Sequence, residues 1–319
     1  MKKPKYSIII PVYNRPKEVE ELLESLTKQT VTNFEVVLVE DGSSITCEKV
    51  FEKFSSQLNL RYFFKPNTGP GQSRNFGFEK ALGDYFVLFD SDCIIPPKYF
   101  EEVEIFLANT LLDAWGGPDQ AHEDFTSLQR AMGYTMASVL TTGGIRGGKR
   151  KNFQPRSFNM GIRKEVVDNT GGFKFDRLAE DIEFSIRMRK SGFEVGLIPK
   201  AYVYHKRRTD LMQFYKQVFN FGRGRVLVGR VHPEAIKITH WFPSFFIIGF
   251  VFSLLLLLLQ PLLGLFILMG YGLYFFTLGI HSFLVNRSFE VAALSLPAAA
   301  IQLVGYGSGF LQEMVKPYI

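Results

Sequence analysis

Asp90, Ser91 and Asp92 directly follow an apolar pentad, Tyr85-Phe-Val-Leu-Phe89. In extended backbone, residues i and i+2 face the same way, so this spacing can aim two carboxylates at one point just past the end of a strand. Clustered carboxylates repel unless a cation lies between them, and an all-oxygen site suits Mg2+ or Mn2+ bridging a diphosphate. A loop carrying two solvated acids is the alternative that Asp-x-Asp alone leaves open. A second acidic pair, Glu180-Asp181, precedes Ile182-Glu-Phe-Ser-Ile-Arg-Met-Arg-Lys190, where Phe184 and Met188 share one helical face. Acids in that position cap a helix and complement its dipole. His205 follows an apolar stretch ending at Ile198, and a lone histidine there reads as structural or interfacial.

The elements that must position these groups show in the hydrophobic pattern. Tyr6-Ser-Ile-Ile-Ile-Pro-Val-Tyr13 reads as a strand buried on both faces. Val19, Leu22, Leu23 and Leu26 then recur at helical spacing, and Phe34-Glu-Val-Val-Leu-Val39 is a second buried strand, broken by Asp41-Gly-Ser-Ser44. Residues 46–57 read as helix, Leu60 to Phe64 as strand, Gly71 to Leu82 as helix and Tyr85 to Phe89 as strand. This alternation predicts an α/β fold with a doubly wound parallel sheet. Such sheets bind ligands beyond the carboxyl ends of their strands, where Asp90 and Asp92 fall. Between 93 and 200 the pattern is less regular and glycine-rich, and 141–157 reads as a mobile loop.

Four segments in order carry a family likeness: Ser7-Ile-Ile-Ile-Pro-Val-Tyr-Asn14; Val39-Glu-Asp-Gly-Ser43; Asn67-Thr-Gly-Pro-Gly-Gln-Ser-Arg-Asn75 leading to Gly83-Asp-Tyr-Phe-Val-Leu-Phe-Asp-Ser-Asp92; and Ala179-Glu-Asp181. Over about 1–208 the chain resembles the inverting, GT-A-fold glycosyltransferases of family 2. The resemblance implies a Rossmann-like, mostly parallel catalytic domain and a metal-bound nucleoside diphosphate sugar as donor, with UDP as the commonest leaving group. Pro11 and Tyr13 would shape the loop around the base, Asp41 would accept from the base N–H, and Asn67 would belong to the nucleotide site. For Asp41, an Asx turn with Gly42 is equally open. Arg74 would lie near the diphosphate, with a surface helix charge as its alternative. Asp90 would contact the ribose or metal, Asp92 the metal, and His205 would be a further ligand. Asp181 would be the general base, with Glu180 the lesser candidate. Asn159 and Gly172 resemble the sugar and acceptor region and Trp115 a platform for the acceptor, although turn glycines and a packed tryptophan fit those positions as well. No Gln-x-x-Arg-Trp signature of the processive members occurs, so a non-processive enzyme is expected.

The formal charge of +6 is local: nine basic and two acidic residues lie between Lys200 and Lys237. Residues 209–239 read as a basic amphipathic segment lying on anionic lipid rather than on nucleic acid. Beyond it, Trp241 to Leu259 and Leu262 to Val285 carry no charge, and Phe289 to Leu311 carries one acid, Glu290. A bilayer needs about 20 apolar residues per helix, so 240–319 reads as an all-α anchor of two or three transmembrane helices. Positive charge before the first helix and at Arg287 predicts an inner-membrane protein with a cytoplasmic catalytic domain, its C-terminus outside if the spans are three. Cys47 and Cys93 are too few for a disulfide framework and suit a reducing compartment. The expectation is transfer to a lipid-linked or membrane-proximal acceptor in envelope glycan synthesis. The alternatives are a polyprenyl-phosphate glycosyl synthase and a non-catalytic nucleotide-sugar-binding subunit.

Overall fold

The computed structural model describes residues 3–120, 125–142, 153–206 and 208–317. The chain forms two compact units, one of Met1–His122 with Lys149–Lys206 and one of Glu123–Gly148 with Arg207–Ile319. In the first, β1 (Tyr6–Val12), α1 (Pro16–Thr27), β2 (Phe34–Asp41), α2 (Glu48–Phe54), β3 (Leu60–Lys65), α3 (Pro70–Lys80) and β4 (Tyr85–Phe89) alternate as the hydrophobic pattern predicts. β1 pairs in parallel with both β2 and β4, and β2 with β3. The side chains of β1 divide by strand period. Ile8 and Ile10 pack with Val19, Leu22, Leu23 and Leu26 of α1, whereas Ile9 packs with Val37, Phe86, Leu88 and Phe184 on the opposite face. Each such aliphatic side chain contributes about 1.5–3 kcal/mol by leaving water. The two-sided core explains why these strands carry apolar residues in succession instead of alternating them with polar ones.

After β4 come β5 (Cys93–Ile94), α4 (Tyr99–Asn109), β6 (Ala114–Gly116) and β7 (Asp119–Gln120). The second unit contributes α5 (Ser127–Ala137) and α6 (Val139–Thr142), and the first resumes with β8 (Asn159–Arg163), α7 (Lys164–Thr170), α8 (Glu180–Lys190), β9 (Val195–Leu197) and β10 (Val203–His205). The main sheet runs β3-β2-β1-β4-β8-β6-β9, with β8 antiparallel to β4 and β6, so it is mixed but mostly parallel. A small sheet, β5-β10-β7, pairs His205 with Cys93. Of the stretch expected as a loop, residues 143–152 lie outside the described residues, while Thr141 and Thr142 end α6.

The second unit adds α9 (Leu211–Val231), α10 (Phe242–Leu259), α11 (Pro261–Asn286) and α12 (Phe289–Met314). The last three are long and apolar enough to cross a membrane. α9 differs from the expectation of a helix resting on lipid, because its apolar face, with Phe214 and Val218 buried, packs on α12. The contact is backbone-close: a Cβ on Gly222 would lie 2.1 Å from the Tyr306 carbonyl, and one on Gly309 2.0 Å from that of Phe219. α5 joins this unit as well, with Met132 and Met136 against Phe214 and Ala298. The expected 1–208 boundary therefore does not follow the packing.

Trp115 shows how tightly the sheet is filled. It is fully buried, and a Cβ on Gly161 would come within 2.0 Å of its indole ring. Overpacking of this kind costs about 1–3 kcal/mol. Gly161→Ala is expected to destabilise the purified full-length chain by that amount, read as a lowered thermal midpoint; an unchanged midpoint would mean the ring moves aside freely.

Candidate active site

The carboxyl ends of β1, β2 and β4 lie side by side, because the three strands are parallel neighbours. Asp90 leaves the end of β4, and Glu180 and Asp181 open α8. Arg74, on α3, connects them. Its Nη2 donates to Asp90 Oδ1 at 2.7 Å and its Nη1 to Glu180 Oε1 at 2.9 Å. The guanidinium is 2% exposed and lies over the Phe173 ring at 5.5 Å. Asp90 remains 31% exposed and Asp181 16%. Arg74 was expected to meet a diphosphate. It is buried, and both outer nitrogens hold carboxylates, so its present work is to gather the acids. Neither Arg74 nor Glu180 is a surface charge.

Burial pushes the Glu180 carboxyl up to about 7, helped by the neighbouring Asp181 charge; Arg74 pulls the other way but is shared with Asp90. Two carboxylates thus share one guanidinium, which also feels the charge of Asp181. Arg156, 3.6 Å from Asp181 Oδ2, is a second cation at the rim.

Asp92 is 7% exposed. Arg15 Nη1 donates to its Oδ2 at 2.6 Å, and His205 Nε2 lies 3.1 Å from its Oδ1. Burial opposes ionisation of Asp92, but His205 and Arg15 outweigh it and hold the carboxyl well below its usual range. The β5–β10 pairing explains this proximity, since it lays His205 beside Cys93, the residue after Asp92. Phe158 stacks on the imidazole at 4.7 Å. Donor atoms of Asp92, Cys93 and His205 all lie within 4.8 Å of one another. The Cys93 thiol is driven well up by burial and by Asp90 and Asp92, so it stays protonated. Carboxylate oxygen and imidazole are the available donors, a set that fits a divalent cation and, through its imidazole, suits a transition ion such as Mn2+ better than Mg2+.

Asp41 ends β2 with 4% exposure. It accepts from Lys65 Nζ and from the Thr68 and Gly69 backbone N–H groups, the latter two at 2.9 Å. It therefore fixes the loop entering α3, in place of an Asx turn closed on Gly42. Asn67 seals the same loop, donating to the Asp41 carbonyl at 2.8 Å and accepting from Arg177. On the neighbouring rim Asn14, in left-handed backbone at φ 54°, accepts from the Ser44 and Ile45 N–H groups at 2.9 Å. Pro11 is the penultimate residue of β1, and Tyr13 just beyond it is 53% exposed.

Three expected acceptor or sugar residues lie elsewhere. Trp115 and Asn159 are fully buried, and Asn159 bonds Tyr99 Oη at 2.6 Å and the Ala201 carbonyl at 2.8 Å. Neither offers a surface to a substrate. Gly172 is a turn glycine at φ 70°, where a Cβ would lie 2.4 Å from Asn75 Oδ1. The turn it makes seats Phe173 beneath Arg74. Sequence reasoning missed Arg15 and Arg156. Arg15 carried a usable signal: a cation two residues past Tyr13, at the strand end where the acids gather.

The Glycosyl transferase family 2 profile matches residues 7–171. An uncharacterised glycosyltransferase of Rickettsia felis is 39% identical over 103 residues, 32% of this chain and 17% of that relative's length. AglE of Haloferax volcanii is 22% identical over 253 residues, covering 78% of this chain and 82% of AglE. Among solved structures, the mannosyltransferase PcManGT from Pyrobaculum calidifontis, in complex with GDP-Man and Mn2+, superposes with a TM-score of 0.66 at 16% identity, covering 95% of this chain and 88% of its own. Residues 1–349 of Staphylococcus aureus TarS, in complex with UDP-GlcNAc, give 0.54 at 23%, covering 97% and 91%. These neighbours share the GT-A type of fold, and by the extent of its match the chain belongs to Glycosyl transferase family 2.

Proposed function

We propose that the chain is a metal-dependent, inverting glycosyltransferase. It moves a sugar from a nucleoside diphosphate, UDP for preference, to a lipid-linked or membrane-proximal acceptor in cell-envelope glycan synthesis. The observation that carries this reading is the Arg74 bridge, which joins Asp90 after β4 to Glu180 at the start of α8. The PcManGT and TarS complexes with GDP-Man and UDP-GlcNAc support a nucleotide-sugar donor, and the Mn2+ in the former supports a divalent cation. The basic block before α10 and the three apolar helices support an inner-membrane anchor with the catalytic unit on the cytoplasmic side.

In this reading Asp90, Asp92 and His205 would hold the divalent ion, with Asp41, Asn67, Pro11 and Tyr13 around the nucleotide. A bound ion supplies the countercharge that a departing diphosphate needs. Asp181 takes the proton from the acceptor hydroxyl as that oxygen attacks the anomeric carbon from the face opposite the diphosphate, so the configuration inverts. Arg156 steadies the Asp181 carboxylate. Arg74 and Glu180 are positioning residues that fix Asp90 relative to Asp181.

Asp181→Asn is expected to lower transfer by about 10²- to 10⁴-fold while nucleotide affinity, measured by calorimetry, stays near wild type; equal loss of both would make the residue structural. Asp92→Ala should abolish the Mn2+-dependent part of nucleotide binding, and an unaltered affinity would remove it from the ligand set. Glu180 supplies a pH test. Its folded pKa of about 7 exceeds the ordinary 4.5, so between these values the folded state binds more protons than the unfolded one. The contribution of Glu180 to the stability of the metal-free chain therefore falls as pH rises through that window. Glu180→Gln should flatten that slope in denaturant titrations run from pH 4.5 to 7, and an identical slope would place the titration elsewhere.

A further inference from the structure

The three apolar helices of the second unit are not equivalent. In their most apolar windows, 17% of α10 and 11% of α11 is buried, against 44% of α12. α10 and α11 form a hairpin closed at Gln260-Pro261, with Tyr271 Oη donating to the Phe246 carbonyl at 2.7 Å. Leucines such as Leu258, Leu259 and Leu262 are more than three-quarters exposed around its closed end. A surface of that kind suits the acyl chains of a bilayer.

α12 meets this hairpin at the open end with both of its halves. Ser295 Oγ lies 2.8 Å from Ser282 Oγ near the end of α11. Twelve residues further on, Gly307 sits against Pro243 and Ile247 at the start of α10, and Phe310 packs on Trp241 at 4.9 Å. A helix running antiparallel down α11 from the Ser295–Ser282 contact would bring Gly307 opposite Gly270. Yet a Cβ on Gly270 or Gly272 would meet nothing within 4 Å. α12 therefore crosses the mouth of the hairpin instead of following it.

Polar helices cover α12 there. On α9, Arg223 Nε donates to Glu313 Oε2 at 2.8 Å, and Arg230 Nη2 donates to the Glu313 and Lys316 carbonyls at 2.6 and 2.9 Å. From α5, Arg130 reaches the Asn286 carbonyl at 3.3 Å, and Tyr134 Oη lies 2.6 Å from His281 Nδ1. If α12 crossed the hydrocarbon core, these helices would be drawn in with Arg130, Lys216, Arg223, Arg225 and Arg230, and each cation is costly at that depth. The hairpin carries no charge of its own and meets α5 through His281 and Asn286 at its open end; α10 and α11 have 18 and 26 residues, enough for about 27 and 39 Å of helix.

We propose that only the α10–α11 hairpin crosses the bilayer, while α12 lies at the headgroup level under α5 and α9. The C-terminus then emerges on the side that carries Thr239, not on the opposite one. This rests on the membrane reading of the unit, which is tested separately by an alkaline carbonate wash of membranes containing the full-length chain; release into the supernatant would end both readings. For the topology, single cysteines are placed at Thr239, Gln260 and Pro317, all exposed positions, with Lys316→Cys as a second C-terminal reporter. Cys47 and Cys93 are buried and stay silent. Sealed vesicles are labelled with a membrane-impermeant maleimide before and after lysis. The expected result is that positions 239 and 317 react from one face and 260 from the other. Reaction of 317 and 316 from the face of 260 would make α12 a third span, and reaction of 260 from the face of 239 would mean the hairpin does not cross; either overturns the proposal.

Discussion

One buried guanidinium sets the geometry of the cleft. Arg74 ties the end of β4 to the start of α8, bonding two carboxylates 16 and 106 residues away along the chain. A buried cation is tolerated only with such partners, and removing one leaves an uncompensated charge. The Phe173 ring beneath it and the glycine turn before that ring belong to the same arrangement. So does the loop ahead of α3, which Asp41 and Asn67 pin to the end of β2.

The acids at these strand and helix ends outnumber the arginines paired with them. Asp90, Asp92, Glu180 and Asp181 confront Arg74, Arg15 and Arg156, with His205 beside Asp92. At Glu180 burial, joined by the neighbouring Asp181 charge, raises the carboxyl in spite of Arg74. A diphosphate would add negative charge to an already acidic cleft. Under the proposed function the cleft is thus complementary to a donor and a cation together, and to neither singly.

Much of this was legible in the sequence, for identifiable reasons. Strands buried on both faces announce themselves as continuous apolar runs, so β1, β2 and β4 and the alternation around them could be read directly. The Asp90–Asp92 spacing could be read because strand period fixes where both acids point. The partnership of Arg74 with Glu180 could not, because no local pattern encodes a contact across 106 residues. The choice between a platform and a packed ring for Trp115 could not be read, because its burial depends on the missing side chain of Gly161, a strand partner far away in sequence. α9 was misjudged for a related reason. An amphipathic face shows that something apolar covers it, and here that cover is another helix instead of acyl chains. Likewise the apolar positions of α5 read the same against a sheet as against α12.

That last placement bears on where the polypeptide can be cut. Because α5 and α6 belong to the second unit yet precede β8, the first unit is interrupted in mid-sequence by part of the second. Severing everything beyond Lys237 would not liberate a tidy enzyme. It would strip Ala298 from Met132 and Met136 and leave that cluster closed only from the side of Phe214 and Val218 on α9. Dissecting this protein cleanly requires excising the inner loop of helices together with the tail.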